Sequence, residues 1–250
     1  MKKILFICPR NPFSERYSGD VIRAKKTIYF LSKNHYVKVI STDLKDSEKK
    51  ESKLSYEGFK ETNFFTKILY IFISFIKLKP IQLGYFFSPK IREYVLNNFQ
   101  NYDLIFFQSF RTAQYMPKEC KKKCILDLGD LMSDNYKQTS VHYFFFNPIR
   151  IIYFIESLLV KKYENFCFKK FTKILLHSKK EMDSVEKEFK EKLAQFSFGV
   201  TNIKKKYKFN KENFKIIFIG NIKYAPNKKA CYEFANEILP LINEKYPKIE

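Results

Sequence analysis

Three stretches of the chain carry side chains whose types and spacing could do chemistry. The first, ILDLGDLMSDNY, places Asp127, Asp130 and Ser133 around what reads as the end of a strand. Asp127 and Asp130 are the catalytic candidates, since carboxylates in such a loop can bind hydroxyls or assist an acceptor electrostatically; the plainer reading makes them loop caps. The second, SGDVIR, holds Ser18, Gly19 and Arg23. A planar guanidinium grips an oxyanion through two bonds at once, although an exposed helical arginine would look the same. The third, FIGNIKYAPN, sets Gly220, Asn221 and Lys223 between an apolar run and a helix start at Pro226. Glycine corners and helix N-termini present backbone N–H groups of the kind that bind a pyrophosphate.

Positioning these residues calls for alternating strands and helices. Lys3–Cys8 reads as a strand, followed by a long loop closed by Ser18-Gly19-Asp20 and a helix from about Val21 to Asn34, with Ile22, Ile28, Tyr29 and Leu31 as core contacts. Val37–Ser41 completes a βαβ unit, which predicts a parallel sheet with right-handed crossovers. Ligands of such sheets collect at the carboxyl ends of the strands, which puts the 14–20 loop at the functional edge. Further strands are expected at Ser55–Phe64, Tyr102–Gln108, Lys123–Leu128, Lys173–His177 and Gln195–Val200, with Leu44–Lys53 a polar surface linker. Helices are expected at Phe64–Lys79, Ser88–Asn98 and Ile149–Lys170, and after Ser178, with Glu181 at the capping-box position. The sequence thus divides into an α/β domain over 1–200, a lysine-rich linker over 201–213, and the first β-α unit of a second Rossmann-like domain over 214–250. In that unit Ile216–Ile219 reads as a strand buried on both faces.

Composition narrows the partners without naming one. Lys plus Arg is 47 against 26 for Asp plus Glu, a net charge of +21, which suits a polyanion, an anionic membrane or a phosphorylated substrate. The same enrichment in Lys, Ile, Phe, Tyr and Asn is also what an AT-rich genome writes. Two aromatic stretches, Phe64–Leu78 and Tyr143–Val160, are interrupted by charges and fall short of a membrane span. Ordinary core helices are the expectation for both, with amphipathic helices lying on a membrane surface as the alternative. The five cysteines are scattered, with no zinc spacing, and read as free thiols of a reducing cytoplasm. His35 and His142 have no paired partner in sequence, and His177, at a strand end, is expected to be structural. No G-x-G-x-x-G or P-loop pattern occurs, which disfavours a nicotinamide dehydrogenase and a P-loop NTPase.

Taken together, SGDVIRAKKTIYFLSKNHYVKVIS, YDLIFFQ, ILDLGDLMSDNY, the Glu-bearing helix running into ILLHSKKE, SFGVT and FIGNIKYAPNKKACYEFANEILPLI resemble the retaining glycosyltransferases of family 4. That family has the GT-B architecture of two Rossmann-like domains facing a cleft. The resemblance implies a nucleotide-diphosphate sugar as co-substrate, held by Gly220, Asn221 and Lys223, with no further cofactor and no metal. It implies a glycan or lipid-linked acceptor, with Ser18, Gly19 and Arg23 lining one side of the cleft and Asp127, Asp130 and Ser133 the other. It also implies surface-polysaccharide or lipopolysaccharide assembly at the cytoplasmic side of the plasma membrane. Asn221 and Asn227 stand where many members carry Arg and Lys, and the family's late E-x(7)-E pair lies past Glu250, so this polypeptide is expected not to be competent alone. The alternative reading is a non-catalytic basic module for membrane or nucleic acid, although no RNP1, KH or C2H2 pattern supports the latter.

Overall fold

The computed structural model describes residues 1–15, 18–120, 123–141, 143, 146–197, 215–220, 222 and 225–246. The strands are β1 (Lys3–Cys8), β2 (Tyr36–Asp43), β3 (Ser47–Lys50), β4 (Leu54–Lys60), β5 (Leu104–Gln108), β6 (Cys124–Gly129), β7 (Lys173–Leu176) and β8 (Leu193–Gln195). They hydrogen-bond in the order β3-β4-β2-β1-β5-β6-β7-β8. Every neighbouring pair is parallel except β3 with β4. β2 and β5 flank β1 on opposite sides, so the winding reverses between β1 and β5, the point at which parallel sheets open a ligand crevice.

The apolar runs of β1 and β5 are continuous because both faces of the sheet are covered. Ile4, Phe6 and Cys8 pack with Ala24 and Ile28 of helix α1 (Gly19–Ser32) on one face. Leu5, Ile7, Ile105 and Phe107 pack on the other, against Ile91 and Val95 of α4 (Pro89–Asn98) and Val160, Cys167 and Phe168 of α6 (Pro148–Lys170). Along α1 the inward positions are Val21, Ala24 and Ile28, while Ile22 and Tyr29, expected in the core, are exposed. The residue between Val21 and Ala24 on that buried face is Arg23, not an exposed helical arginine.

Several elements depart from the sequence reading. The segment taken as a linker forms β3, an edge strand held antiparallel to β4 whose Glu and Lys side chains suit an unpaired sheet edge. The acidic stretch after β6 folds into α5 (Met132–Val141), with Asp134 in the first turn where the helix dipole favours a negative charge. The strand expected at Gln195–Val200 is placed earlier, as β8 ends at Gln195; the ring of Phe196 lies against the guanidinium of Arg23, and residues 198–200 lie outside the described residues. α2 (Phe64–Ile76) and the first half of α6 are not core helices. α2 leaves Phe64, Phe65, Phe72 and Ile76 more than half exposed, and α6 does the same with Ile151, Ile152 and Leu158. Among the described residues no helix is long and apolar enough to cross a membrane.

The chain separates into two compact units, Met1–Phe198 and Gly199–Glu250. In the second, α8 (Ala225–Glu233) runs through a π turn at Phe234–Ile238 into α9 (Leu239–Lys245). Pro240 near the start of α9 has no N–H to give the preceding turn, which accounts for the widened hydrogen-bonding there. The strand expected at Ile216–Ile219 is not formed: the segment has no regular secondary structure, with Ile217 76% and Ile219 92% exposed. A doubly covered parallel strand exists only between hydrogen-bonded neighbours, and no neighbouring strand is described in this unit. The expected linker over 201–213 lies outside the described residues.

Helix α3 (Ile81–Tyr85) follows α2 so closely that a Cβ on Gly84 would overlap the backbone carbonyl of Tyr70. Gly84→Ala is therefore expected to lower stability by about 1–3 kcal/mol in urea unfolding, whereas Gly19→Ala, whose Cβ meets nothing within 4 Å, leaves it unchanged.

Candidate functional site

The carboxyl edge of the sheet gathers most of the described sequence-predicted residues, though in other roles than expected. Arg23 reaches from α1 across the end of β5 to Asp127 near the end of β6. Its Nε donates to Asp127 Oδ2 at 2.6 Å and its Nη2 to Oδ1 at 2.6 Å. The two residues are 5% and 2% exposed, a buried bidentate ion pair. Burial pushes the Asp127 carboxyl above the ordinary aspartate range and Arg23 opposes it. With both oxygens accepting from the guanidinium, the carboxylate is ionised at neutral pH. Both oxygens of Asp127, expected as a catalytic group, are thus taken up by Arg23, and Arg23, expected to line a cleft, is turned to Asp127.

His177, expected to be structural, joins this pair. Arg23 Nη1 lies 2.7 Å from His177 Nε2 and 3.1 Å from Nδ1. A guanidinium only donates, so the ring nitrogen it meets must carry a lone pair and the imidazole is neutral. Burial, then the positive charge of Arg23, holds the His177 pKa below the usual histidine value. The ring of Phe196 lies 4.7 Å below the guanidinium and completes its enclosure. The backbone aims the group. A register shift between Asp127 and Gly129, with Gly129 at φ 75°, lets the Gly129 carbonyl accept from the His177 N–H at 2.7 Å. Sequence could not have singled out His177, because its partner Arg23 is 154 positions away.

Asp130 is exposed at the end of the same strand. Ser133 is buried, and its hydroxyl and N–H both donate to Glu164, at 2.6 and 3.2 Å, so it is not a cleft-lining residue. Glu164, on α6, caps the N-terminus of α5 in this way, and burial raises its pKa to about 7. Eight positions earlier, Glu156 accepts from the N–H groups of Ile81 and Gln82 at 2.9 and 3.3 Å and caps α3. Both carboxylates are thus taken up by helix ends.

At the β1/β5 switch point a second group forms. Asp20 accepts from Ser18 Oγ at 2.5 Å and from Arg10 Nη1 at 2.8 Å, so Ser18 opens α1 rather than a ligand site. Arg10 and Arg111 both lie on the ring of Phe86, at 5.1 and 4.6 Å. Arg111 also donates to Gln82 Oε1 at 2.7 Å, and burial holds its pKa below the usual arginine value. Beside them a cleft of about 510 Å³ is lined by Arg10, Thr42, Asp43, Lys67, Tyr85 and Phe86, among others. Cations, hydroxyls, carboxylates and aromatic faces in one cleft suit a polyol carrying negative charge. Neither arginine stood out in sequence, because their convergence on Phe86 exists only after folding. In the second unit Gly220 is described and exposed, whereas Asn221 and Lys223 lie outside the described residues.

A scan against protein-family models and a search of curated proteins find no match. Among solved structures the chain is similar to an α,α-trehalose-phosphate synthase (UDP-forming) from Burkholderia vietnamiensis, with TM-score 0.47 and 9% identity over 80% of this chain and 50% of that one. An α,α-trehalose 6-phosphate synthase from Burkholderia multivorans gives TM-score 0.41 and 9% identity over 73% and 42%. The chain thus spans half or less of the length of these structures.

Two outcomes follow. Asp127→Asn leaves a buried guanidinium without its counter-ion and should cost about 3–5 kcal/mol in urea unfolding, much of it recovered in the Arg23→Met, Asp127→Asn double variant. For Glu164 the folded pKa of about 7 stands above the ordinary 4.5, so its contribution to stability is full below pH 4.5 and is lost as pH rises through 7. Relative to wild type, Glu164→Gln should gain up to roughly 3 kcal/mol between pH 4.5 and pH 8.

Proposed function

We propose that the chain is the acceptor-side part of a glycosyltransferase of GT-B type, moving a sugar from a nucleotide-diphosphate donor to a glycan or lipid-linked acceptor of the cell surface. The observation that carries this reading is the cleft lined by Arg10, Asp43, Lys67 and Phe86, past the carboxyl ends of β1, β2 and β4 of a parallel sheet. Its hydroxyls and carboxylates match sugar hydroxyls, its aromatic faces match sugar rings, and its cations match a phosphorylated or lipid-pyrophosphate acceptor. The resemblance of ILDLGDLMSDNY and FIGNIKYAPN to family 4 supplies the retaining, hexosyl-type chemistry and the donor side, which Gly220, Asn221 and Lys223 would hold.

In this reading His177 and Asp130 are the groups at which the Arg23 cluster meets a ligand. A neutral imidazole and an exposed carboxylate can each hydrogen-bond a sugar hydroxyl, and Arg23 and Asp127 fix the ring that does so. Catalysis by the protein is mainly electrostatic stabilisation of the departing nucleoside diphosphate. The reading calls for a nucleotide sugar as co-substrate, for no separate cofactor or metal, and for a cytoplasmic place of action.

The test is release of a nucleoside diphosphate from a panel of nucleotide sugars by the full-length gene product, with extracted surface glycan as acceptor. Release that requires both and falls about tenfold or more in His177→Ala is the expected result. Salt-sensitive oligonucleotide binding, with no release from any donor, would replace the enzyme by a basic binding module.

A further inference from the structure

Helix α2 is mounted in reverse for a domain surrounded by water. Ser74 is its buried residue, and its Tyr70 carbonyl presses on Gly84 of α3. Its most apolar stripe, Phe65, Leu69, Phe72 and Ile76 at i, i+4, i+7 and i+11, stands in solvent, with Phe65 80% exposed. Amphipathic surface helices ordinarily do the opposite. The first half of α6 repeats the arrangement: Glu156 and Val160 face inward, while Ile151, Ile155 and Leu158 face out.

The two helices are joined through α3. α3 follows α2 within a few residues, and its N-terminus is fastened to α6 through Glu156. α6 has 23 residues, about 34 Å, against about 20 Å for a six-residue strand. Glu164 meets the start of α5 just past the end of β6, so the turns of α6 before it rise beyond the sheet. Alongside α2 runs a groove of about 590 Å³ whose lining joins Ile73, Leu83 and Leu96 to the cations Lys77, Lys79 and Arg92 and to one carboxylate, Glu93.

We infer that α2 and the first half of α6 form a docking surface for an anionic lipid bilayer. The apolar stripes enter the headgroup–acyl boundary, and Lys77, Lys79 and Arg92 meet the lipid phosphates. Charge decides the occupant: a chain of net charge +21 repels a second copy of itself and is drawn to an anionic surface. The chain then lies on the bilayer with the carboxyl edge of its sheet facing it.

Sedimentation with vesicles tests this without any donor sugar, so it stands or falls separately from the glycosyltransferase reading. The chain should pellet with phosphatidylcholine vesicles containing phosphatidylglycerol and not with phosphatidylcholine alone. Phe65→Glu with Phe72→Glu, on exposed positions, should weaken binding about tenfold or more with an unchanged circular dichroism spectrum. Ile151→Glu with Ile155→Glu should do the same. Wild type remaining in the supernatant with both vesicles, or the α2 double variant pelleting like wild type, overturns the inference. Self-association by light scattering without lipid binding overturns it in favour of a second copy.

Discussion

The buried ion pair of Arg23 and Asp127 ties together elements that share no hydrogen-bonded edge. Arg23 belongs to α1, which packs on β1 and β2, while Asp127 belongs to β6, beyond β5. A charge pair taken out of water is retained only when its geometry is good and its remaining groups are satisfied. Here both carboxylate oxygens accept from the guanidinium, a third nitrogen meets His177, and Phe196 covers the face. The pair therefore fixes where β6 and β7 end relative to α1. That in turn sets the position of His177, which is partly exposed.

How much of this was legible in the sequence depended on whether the signal was local. Continuous apolar runs such as LIFFQ report strands covered on both faces, so β1, β2, β5, β6 and β7 could be placed from pattern alone. β3 could not, because SEKK has no strand propensity and is held by pairing with β4. α5 reads as a loop of Asp, Ser and Asn until Glu164, 31 positions away, supplies its N-terminal cap. The site followed the same rule. Asp127 and Arg23 could each be picked out by type and place, but their bond to one another, 104 positions apart, could not. Both were read as groups that would meet a ligand, and each instead satisfies the other.

The aromatic helices show a different failure. Periodicity reports that a helix has an apolar stripe, and the default is to turn that stripe inward. In α2 the inward face is set by close backbone approach at Gly84, and in α6 by two glutamates that must reach helix ends. Those constraints fix the rotation of each helix and leave its apolar stripe in solvent.

α6 is consequently the organising helix of the carboxyl edge. Its last turns enter the core through Cys167 and Phe168, Glu164 fixes α5, and Glu156 fixes α3. α3 carries Gln82, which accepts from Arg111, and is followed by Phe86, on which Arg10 and Arg111 converge. The cleft past β1, β2 and β4 and the outward apolar stripes therefore rest on the same scaffold. A displacement of α6 along its axis would move α3, and with it the aromatic wall of the cleft. A surface that bears on the first half of α6 is in this way mechanically joined to the cleft through Glu156, whose partners are the backbone amides of Ile81 and Gln82.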